Sequence, residues 1–233
     1  MTLSMKNLIV VLAVLTVTFP AYSQFWKKAL SGTTPTSAEV TKGLKEALTQ
    51  GVTKGTQQVS QVDGYFKNIE IKIPFPPDVK IVETKMRMLG FGSQVDEFVL
   101  SVNRAAEDAA KEASPIFVSA IKEMTIDDAY AILKGEPDAA TQYLKKKTTT
   151  QLKEKFKPIV QNSLSKVNAT KYYGDIIGNY NRIPFVQKVN PDLNVYATDM
   201  AVQGLFVMIA KEEKNIRKDP LARTTDLLKK VFK

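Results

Sequence analysis

Two groups of charged and amide side chains have types and spacing that suit either catalysis or a polar network. Their members are Asn103, Arg104 and Glu107 in the middle of the chain, and Glu212, Glu213, Arg217 and Arg223 near its end. A glutamate whose pKa is raised by apolar surroundings can act as a general acid without histidine. Both groups border an apolar helical stripe, where charges are tolerated when they are paired. We therefore expect Arg104 and Glu107 to contact Glu212, Arg217 or Arg223.

Both groups also have a purely structural interpretation. Arg104 and Asp108 are four residues apart, as are Glu213 and Arg217, and such pairs are typical of a solvated helix face. The functional alternative is a polar groove shared by the two segments. The residue pattern leaves both interpretations open and assigns no catalytic residue.

The composition excludes several kinds of chemistry. None of the 233 residues is histidine or cysteine, so Ser-His-Asp and Cys-His catalysis, the usual zinc sites and disulfides are ruled out. A calcium or magnesium site made of carboxylate oxygens would need a loop with regular acidic spacing, and no EF-hand spacing is present. We expect no metal and no cofactor.

A third group is basic and consists of Lys145, Lys146, Lys147 and Lys153. Three consecutive lysines cover more than one helix face, so a solvated face is the simpler interpretation. The alternative is contact with an anionic surface, which the formal net charge of +9 favours. The candidate partners are an anionic lipid, a cell-wall polymer or another envelope protein. Nucleic acid is disfavoured because no aromatic residues alternate with these lysines for base stacking.

The first 23 residues have the pattern of a cleaved signal peptide. Lys6 precedes a short apolar run, residues 8–19, which Pro20 ends. Ala21 and Ser23 then place small residues at the positions that a signal peptidase requires. We predict cleavage before Gln24, export to the periplasm and no transmembrane span in the mature chain. The alternative is an uncleaved anchor, although the run is shorter than the roughly 20 residues that span a bilayer.

The remaining pattern predicts an all-α fold: a single-domain helical bundle over residues 37–233, preceded by a flexible segment, residues 24–36. Apolar residues recur at helical spacing from Val95 to Ala113, which predicts a buried central helix that Ser114 and Pro115 bend or split. The other predicted helices cover residues 37–62, 78–89, 126–134, 137–167, 172–180 and 193–218, with a last one after Pro220. Ser37 or Thr36, Asp78 and Thr125 are the expected caps of the first three, and the helix 78–89 is expected to turn Leu89 inward and to end at Gly90. Alternating isoleucines predict one extended segment near residues 66–76, laid across the helices.

Several long segments resemble a known bacterial family. They read DGYFKN, VNRAAEDAAKEASPIF, MTIDDAYAILKGEPDAAT, GLFVMIAKEEKNIRKDP and ARTTDLLKKVF. Their content and order are similar to the domain-of-unknown-function family 4197, over nearly all of the chain from Ser37 to Lys233. The resemblance implies an exported, mainly helical protein, and it carries no established activity or catalytic residue. Many relatives look like lipoproteins, and the absence of cysteine here departs from that pattern.

Two function classes follow. The first is a non-enzymatic envelope protein that binds a lipid, a cell-wall polymer or a protein. The second is a cell-wall glycosidase or lytic transglycosylase that uses carboxylates alone, with Glu107 or Glu212 as the acid. A deep cleft with one buried, unpaired glutamate would favour the enzyme, whereas a closed surface or an apolar tunnel would favour binding.

Overall fold

The computed structural model describes residues 36–218, which fold into eight α-helices with no β-strand in that range. In chain order the helices are α1 (Ser37–Val59), α2 (Lys80–Met88), α3 (Gly92–Ala110), α4 (Ala113–Lys122), α5 (Ile126–Lys134), α6 (Ala139–Ser165), α7 (Ala169–Tyr180) and α8 (Leu193–Lys218). The predicted all-α class is confirmed. The predicted signal peptide, nearly all of the predicted flexible segment, the last predicted helix and Arg223 lie outside the described residues.

One large apolar core is built around α3, α6 and α8. The predicted central helix is confirmed, because Val95, Val102, Ala105 and Ala109 of α3 are almost completely buried. Small alanine side chains let α6 and α8 approach α3 closely. Gly55 likewise lets α1 approach α8 closely, since a Cβ at position 55 would lie 3.4 Å from Ile209 Cδ1.

Local signals set several helix ends as predicted. Thr125 begins α5 with a capping box, in which its hydroxyl accepts from the Asp128 N–H and the Asp128 carboxylate accepts from the Thr125 N–H. Thr36 and Glu39 cap α1 in the same way. Gly90 ends α2 with a positive φ of 89°, a conformation that favours glycine. The N–H groups of Gly90 and Phe91 then donate to the carbonyls of Arg87 and Met86, which forms a Schellman motif.

Two predicted helix boundaries and one predicted facing were wrong. The break after the central helix falls at Lys111 and Glu112, and Pro115 lies in the first turn of α4, where no N–H is required of it. Asp78 does not cap α2, because it belongs to a 3-10 turn, Pro77–Val79. Leu89 was expected to face inward but is 74 % exposed.

The connection between α1 and α2 lies against the helices, as predicted, and its first half is a series of turns. Residues 72–76 have no regular secondary structure, and the chain bends at Phe75. Ile71, Ile73 and Phe75 are buried, whereas Ile69 is almost fully exposed, so the alternating pattern holds only from Ile71 onward. The Tyr65 hydroxyl donates to the Ala201 carbonyl of α8 at 2.6 Å, which fixes the start of this connection on the core.

Candidate functional site

Glu107 binds the backbone of the α1–α2 connection. Its side chain is buried, and Oε1 accepts hydrogen bonds from the N–H groups of Tyr65 at 3.1 Å and Phe66 at 3.2 Å. Oε2 accepts from Arg104 at 2.6 Å. The carboxylate therefore replaces the hydrogen bonds that these two N–H groups lose by leaving water.

Asn103, one helical turn earlier on α3, also binds the backbone of the α1–α2 connection. Its Oδ1 accepts from the Ile73 N–H at 2.9 Å, and its Nδ2 donates to the Ile73 carbonyl at 2.8 Å. Nδ2 also donates to the Val99 carbonyl of its own helix at 2.7 Å. Asn103 and Glu107 are four residues apart, so both side chains leave the same helix face. Together they hold both ends of the segment 65–73.

Arg104 closes this cluster on the solvent side. Its guanidinium bridges Glu107 and Asp63, and the Asp63 carboxylate also pairs with Lys67 at 2.9 Å. Hydrogen bonds from Lys67 and Arg104 hold the pKa of Asp63 below its ordinary value. Hydrogen bonds to Glu107 and Asp63 raise the pKa of Arg104, which stays charged. We call Asp63, Asn103, Arg104 and Glu107 the α3 cluster.

Glu213 and Arg217 form a separate cluster at the start of α6. The Glu213 carboxylate accepts from the N–H groups of Ala140 at 3.0 Å and Thr141 at 2.8 Å, and from the Thr141 hydroxyl. Arg217 donates to Glu213 and also to the Ile132 carbonyl of α5. An acceptor from α8 thus caps the N-terminus of α6, where the helix dipole favours negative charge.

The contact expected between the two groups was wrong for Glu212 and Arg217, and Arg223 lies outside the described residues. Arg104 and Glu107 meet the α1–α2 connection, whereas Glu212 pairs with Lys54 of α1 at 2.8 Å and Glu213 meets α6. Sequence spacing identified the polar positions, but their partners depend on which helices lie side by side. Within residues 36–218 the two groups therefore form separate clusters.

The described residues also form an apolar groove that the sequence patterns did not predict. It has a volume of about 780 Å³ and lies between α2, α3 and α7. Its lining is mostly apolar: Phe75, Met86, Phe91, Val95, Phe98, Leu100, Val167, Ala169, Tyr172, Tyr173 and Ile176. We call this site the α3–α7 groove. Its volume falls within the range of roughly 300–1,000 Å³ typical of small-molecule sites.

Aromatic rings line part of this groove. The Phe98 ring lies 4.9 Å from that of Phe75 and stacks on Tyr173 at 5.9 Å between centroids. Burial raises the pKa of Tyr173 to about 12, so its hydroxyl is neutral at physiological pH. The polar residues of the lining are few: Gln94, Glu97, Ser101, Arg104, Asp108, Ser163 and Lys166. Arg104 is shared with the α3 cluster.

With the fold and these sites described, comparison with known proteins identifies the family. The family model described as "Protein of unknown function (DUF4197)" matches residues 34–233. The chain belongs to the DUF4197 family. No curated protein and no solved structure matches it. Two of the five segments that carried the sequence resemblance, 63–68 and 102–117, are joined by the α3 cluster.

The basic group of this DUF4197 protein is on the surface. Lys145, Lys146 and Lys147 are exposed on α6, and Lys153 pairs with Asp199 of α8 at 2.8 Å. The Lys147 ammonium lies 5.8 Å from the centre of the Tyr143 ring. These positions fit a solvated face, and contact with an anionic surface stays a prediction.

Two further features of the described DUF4197 residues bear on function. No cluster of three or more carboxylates is placed to hold a metal ion within residues 36–218. In the same range, α8 alone has the length and mean hydropathy of a membrane span, and 61 % of its apolar stretch is buried inside the bundle. Such burial is typical of a core helix.

Proposed function

We propose that this DUF4197 protein is an exported, non-enzymatic binding protein whose α3–α7 groove holds an acyl chain. The observation that carries the proposal is the groove itself, about 780 Å³ in volume and lined mainly by Met, Val, Leu, Ile and aromatic side chains. Each methylene moved from water into such a site contributes about 0.8 kcal/mol. An acyl chain suits this lining because it requires no polar partners.

The buried carboxylates argue against the glycosidase alternative. In residues 36–218 the buried glutamates are Glu83, Glu107, Glu212 and Glu213, and each pairs with a lysine or arginine. Burial alone would raise the pKa of Glu83, but hydrogen bonds from Lys80 and Arg87 bring it below its ordinary value. A catalytic acid needs the opposite shift.

The lining also argues for a lipid over a cell-wall polymer. A glycan requires many hydrogen-bond partners, and the groove offers few polar groups beside its apolar side chains. Two of the charged lining residues are already paired: Arg104 with Glu107 and Asp63, and Asp108 with Lys111 at 2.9 Å. Lys166 and Glu97 form no ion pair with another residue of the range 36–218. The groove therefore suits an amphiphile whose acyl chain lies on the apolar lining and whose anionic head group meets Lys166.

Binding of a fluorescent fatty acid, measured by titration, tests the proposal with a matched pair of variants. Ser101 lines the groove on α3, and Ser101→Trp places an indole in the volume of the acyl chain. Ser119 is an exposed serine on α4 that does not line the groove, and Ser119→Trp is its control. We expect Ser101→Trp to weaken binding at least about tenfold, whereas Ser119→Trp leaves it unchanged. Equal binding by wild type and both variants would contradict the proposal.

The head group is tested by charge reversal. Lys166→Glu should weaken binding of the same anionic probe by about threefold to tenfold, because it replaces an attractive charge at the lining with a repulsive one. Lys146→Glu makes the same change of charge on an exposed part of α6 outside the groove and is the control. Equal losses of probe affinity in both variants would show that the effect comes from the net charge of the protein and not from a charge at the groove.

A further inference from the structure

Two exposed apolar loops lie at the mouth of the α3–α7 groove. The turn between α2 and α3 carries Met88, 81 % exposed, and Leu89, 74 % exposed, followed by Phe91. The junction of α6 and α7 carries Val167, 53 % exposed, and Tyr172, 61 % exposed. Large apolar side chains grouped on a surface mark sites of interaction with proteins or membranes.

The groove shows that the two loops are neighbours. Phe91 of the first loop lines it together with Val167 and Tyr172 of the second. The Schellman motif at Gly90 fixes the first loop, since Phe91 N–H donates to Met86 carbonyl at 2.9 Å. Met88 and Leu89 are outside the groove lining, so they cover no part of its interior.

Positive charges accompany both loops. Lys85 lies on α2 beside the first loop, and Lys166 and Lys171 lie on either side of Val167 in the second. None of these three lysines forms an ion pair with another residue of the range 36–218. Arg87 differs, because it is bound to Glu83 and Asp96. Exposed apolar side chains next to unpaired lysines are the combination that anionic bilayers attract.

We propose that the two loops dock the groove mouth on an anionic lipid bilayer, so that the acyl chain enters the groove directly from the membrane. Met88, Leu89, Val167 and Tyr172 enter the interfacial layer, and Lys85, Lys166 and Lys171 face the lipid phosphates. This inference rests on the proposed function, because it concerns how the same groove is loaded. A bilayer fits better than a protein partner, because the three lysines beside the loops form no ion pair within residues 36–218 and an acyl chain is already in the bilayer.

Vesicle co-sedimentation of the protein purified from its native host tests the docking. The vesicles contain phosphatidylglycerol and phosphatidylcholine in equal parts, with pure phosphatidylcholine as the uncharged reference. We expect binding to the mixed vesicles that weakens in high salt. The double variant Met88→Ser/Leu89→Ser should lower partitioning by about tenfold or more, because it removes two apolar side chains from the contact.

The control variant is Ile69→Ser. Ile69 is 95 % exposed, but the lysines beside it, Lys67 and Lys211, are already paired with Asp63 and Glu70. It should bind vesicles as the wild type does. Equal binding by wild type and the double variant would overturn the docking proposal. A change of oligomeric state in the double variant without loss of vesicle binding would also overturn it, because the loops would then form a protein interface.

The docking proposal and the proposed function can be refuted independently of each other. The double variant should bind the soluble fatty-acid probe normally, because Met88 and Leu89 do not line the groove. Loss of vesicle binding with normal probe binding supports docking. Normal vesicle binding by this variant, combined with loss of probe binding in Ser101→Trp, refutes docking and leaves the proposed function standing. Probe binding that Ser101→Trp does not change refutes the proposed function, whatever the vesicles show.

Discussion

At the scale of single residues, Glu107 and Asn103 hold the backbone of the α1–α2 connection on α3. Between them they accept from three backbone N–H groups, those of Tyr65, Phe66 and Ile73. Buried backbone donors without a partner are rare because each costs about 1–3 kcal/mol. The role of Glu107 is therefore to position this connection, and proton transfer has no support from its surroundings.

Glu107→Ala should destabilise the protein strongly. The change leaves the buried Tyr65 N–H and the partly buried Phe66 N–H without an acceptor and removes one partner of the ion pair with Arg104. We therefore expect a loss of about 3–5 kcal/mol in the free energy of unfolding. Urea unfolding measures this loss. Asp108→Ala is the control on the next residue, which is exposed, and should change the same quantity by about 1 kcal/mol or less. A Glu107→Ala protein as stable as the control would show that the α3 cluster is dispensable for the fold.

Asp63 makes the stability of the folded protein depend on pH in the acid range. Its pKa is lower in the folded protein than its ordinary value of 3.8, so the folded state binds fewer protons than the unfolded state. The contribution of ionised Asp63 to stability is complete at pH values above 3.8. It is lost as the pH falls through the lower pKa that Asp63 has in the folded protein. Asp63→Asn should therefore lose less stability than the wild type when the pH falls from about 5 to 2. Urea unfolding at each pH measures the free energy of unfolding of both proteins. An equal loss in the two proteins as the pH falls would contradict this assignment.

At the scale of elements, the α1–α2 connection packs on α8 at a position that requires glycine. A Cβ on Gly204 would lie 2.7 Å from Cε1 of Tyr65 and 3.1 Å from Cβ of Ile71. The Tyr65 ring cannot move aside easily, because its hydroxyl is bound to the Ala201 carbonyl. The close approach of this connection to α8 thus depends on the absence of a Cβ atom at Gly204.

Gly204→Ala should lower the free energy of unfolding by about 1–3 kcal/mol, because overpacking outweighs the gain of about 1 kcal/mol in helix propensity. Gly178→Ala on α7 is the matched control, since no atom lies within 4 Å of the added Cβ. That variant should be neutral or slightly stabilised. Thermal unfolding of both variants compares them directly, and a stabilised Gly204→Ala protein would contradict the packing described here.

Elements defined by local signals could be predicted from the sequence, and those defined by distant contacts could not. The start of α8, the capping box at Thr125 and the stop at Gly90 depend on residues within one or two turns. Leu89 was misplaced because apolar character alone does not show which face the core covers. The α3–α7 groove was missed since its walls come from two stretches far apart in sequence, residues 75–108 and 163–176.

At the scale of the whole molecule, the same reasoning explains the candidate sites. Spacing along the helices left Glu107 and Glu213 open between a solvated face and a polar network, and the structure buries both side chains in ion pairs. The partners were wrong, because the two glutamates face different neighbours, the α1–α2 connection and α6. A pattern along one helix indicates burial, but it contains no information about the backbone that another segment brings to it.

Export of the chain is a prediction that the described residues do not address. Mass spectrometry of the protein from its native host should show a mature N-terminus at Gln24, because Ala21 and Ser23 follow the short apolar run that Pro20 ends. Fractionation of the same cells should place this mature form in the periplasm. Recovery of an intact Met1 form in the cytoplasm would contradict export with cleavage.

The central claim is that the α3–α7 groove holds an acyl chain, and native mass spectrometry of the protein purified from its host tests it most directly. The account predicts a species heavier than the bare chain by the mass of one acyl-containing lipid. Fragmentation distinguishes a phospholipid from a free fatty acid. The Ser101→Trp protein should lose this species and the Ser119→Trp protein should retain it. Wild-type protein that carries no lipid, or the same lipid in the Ser101→Trp variant, would contradict the account.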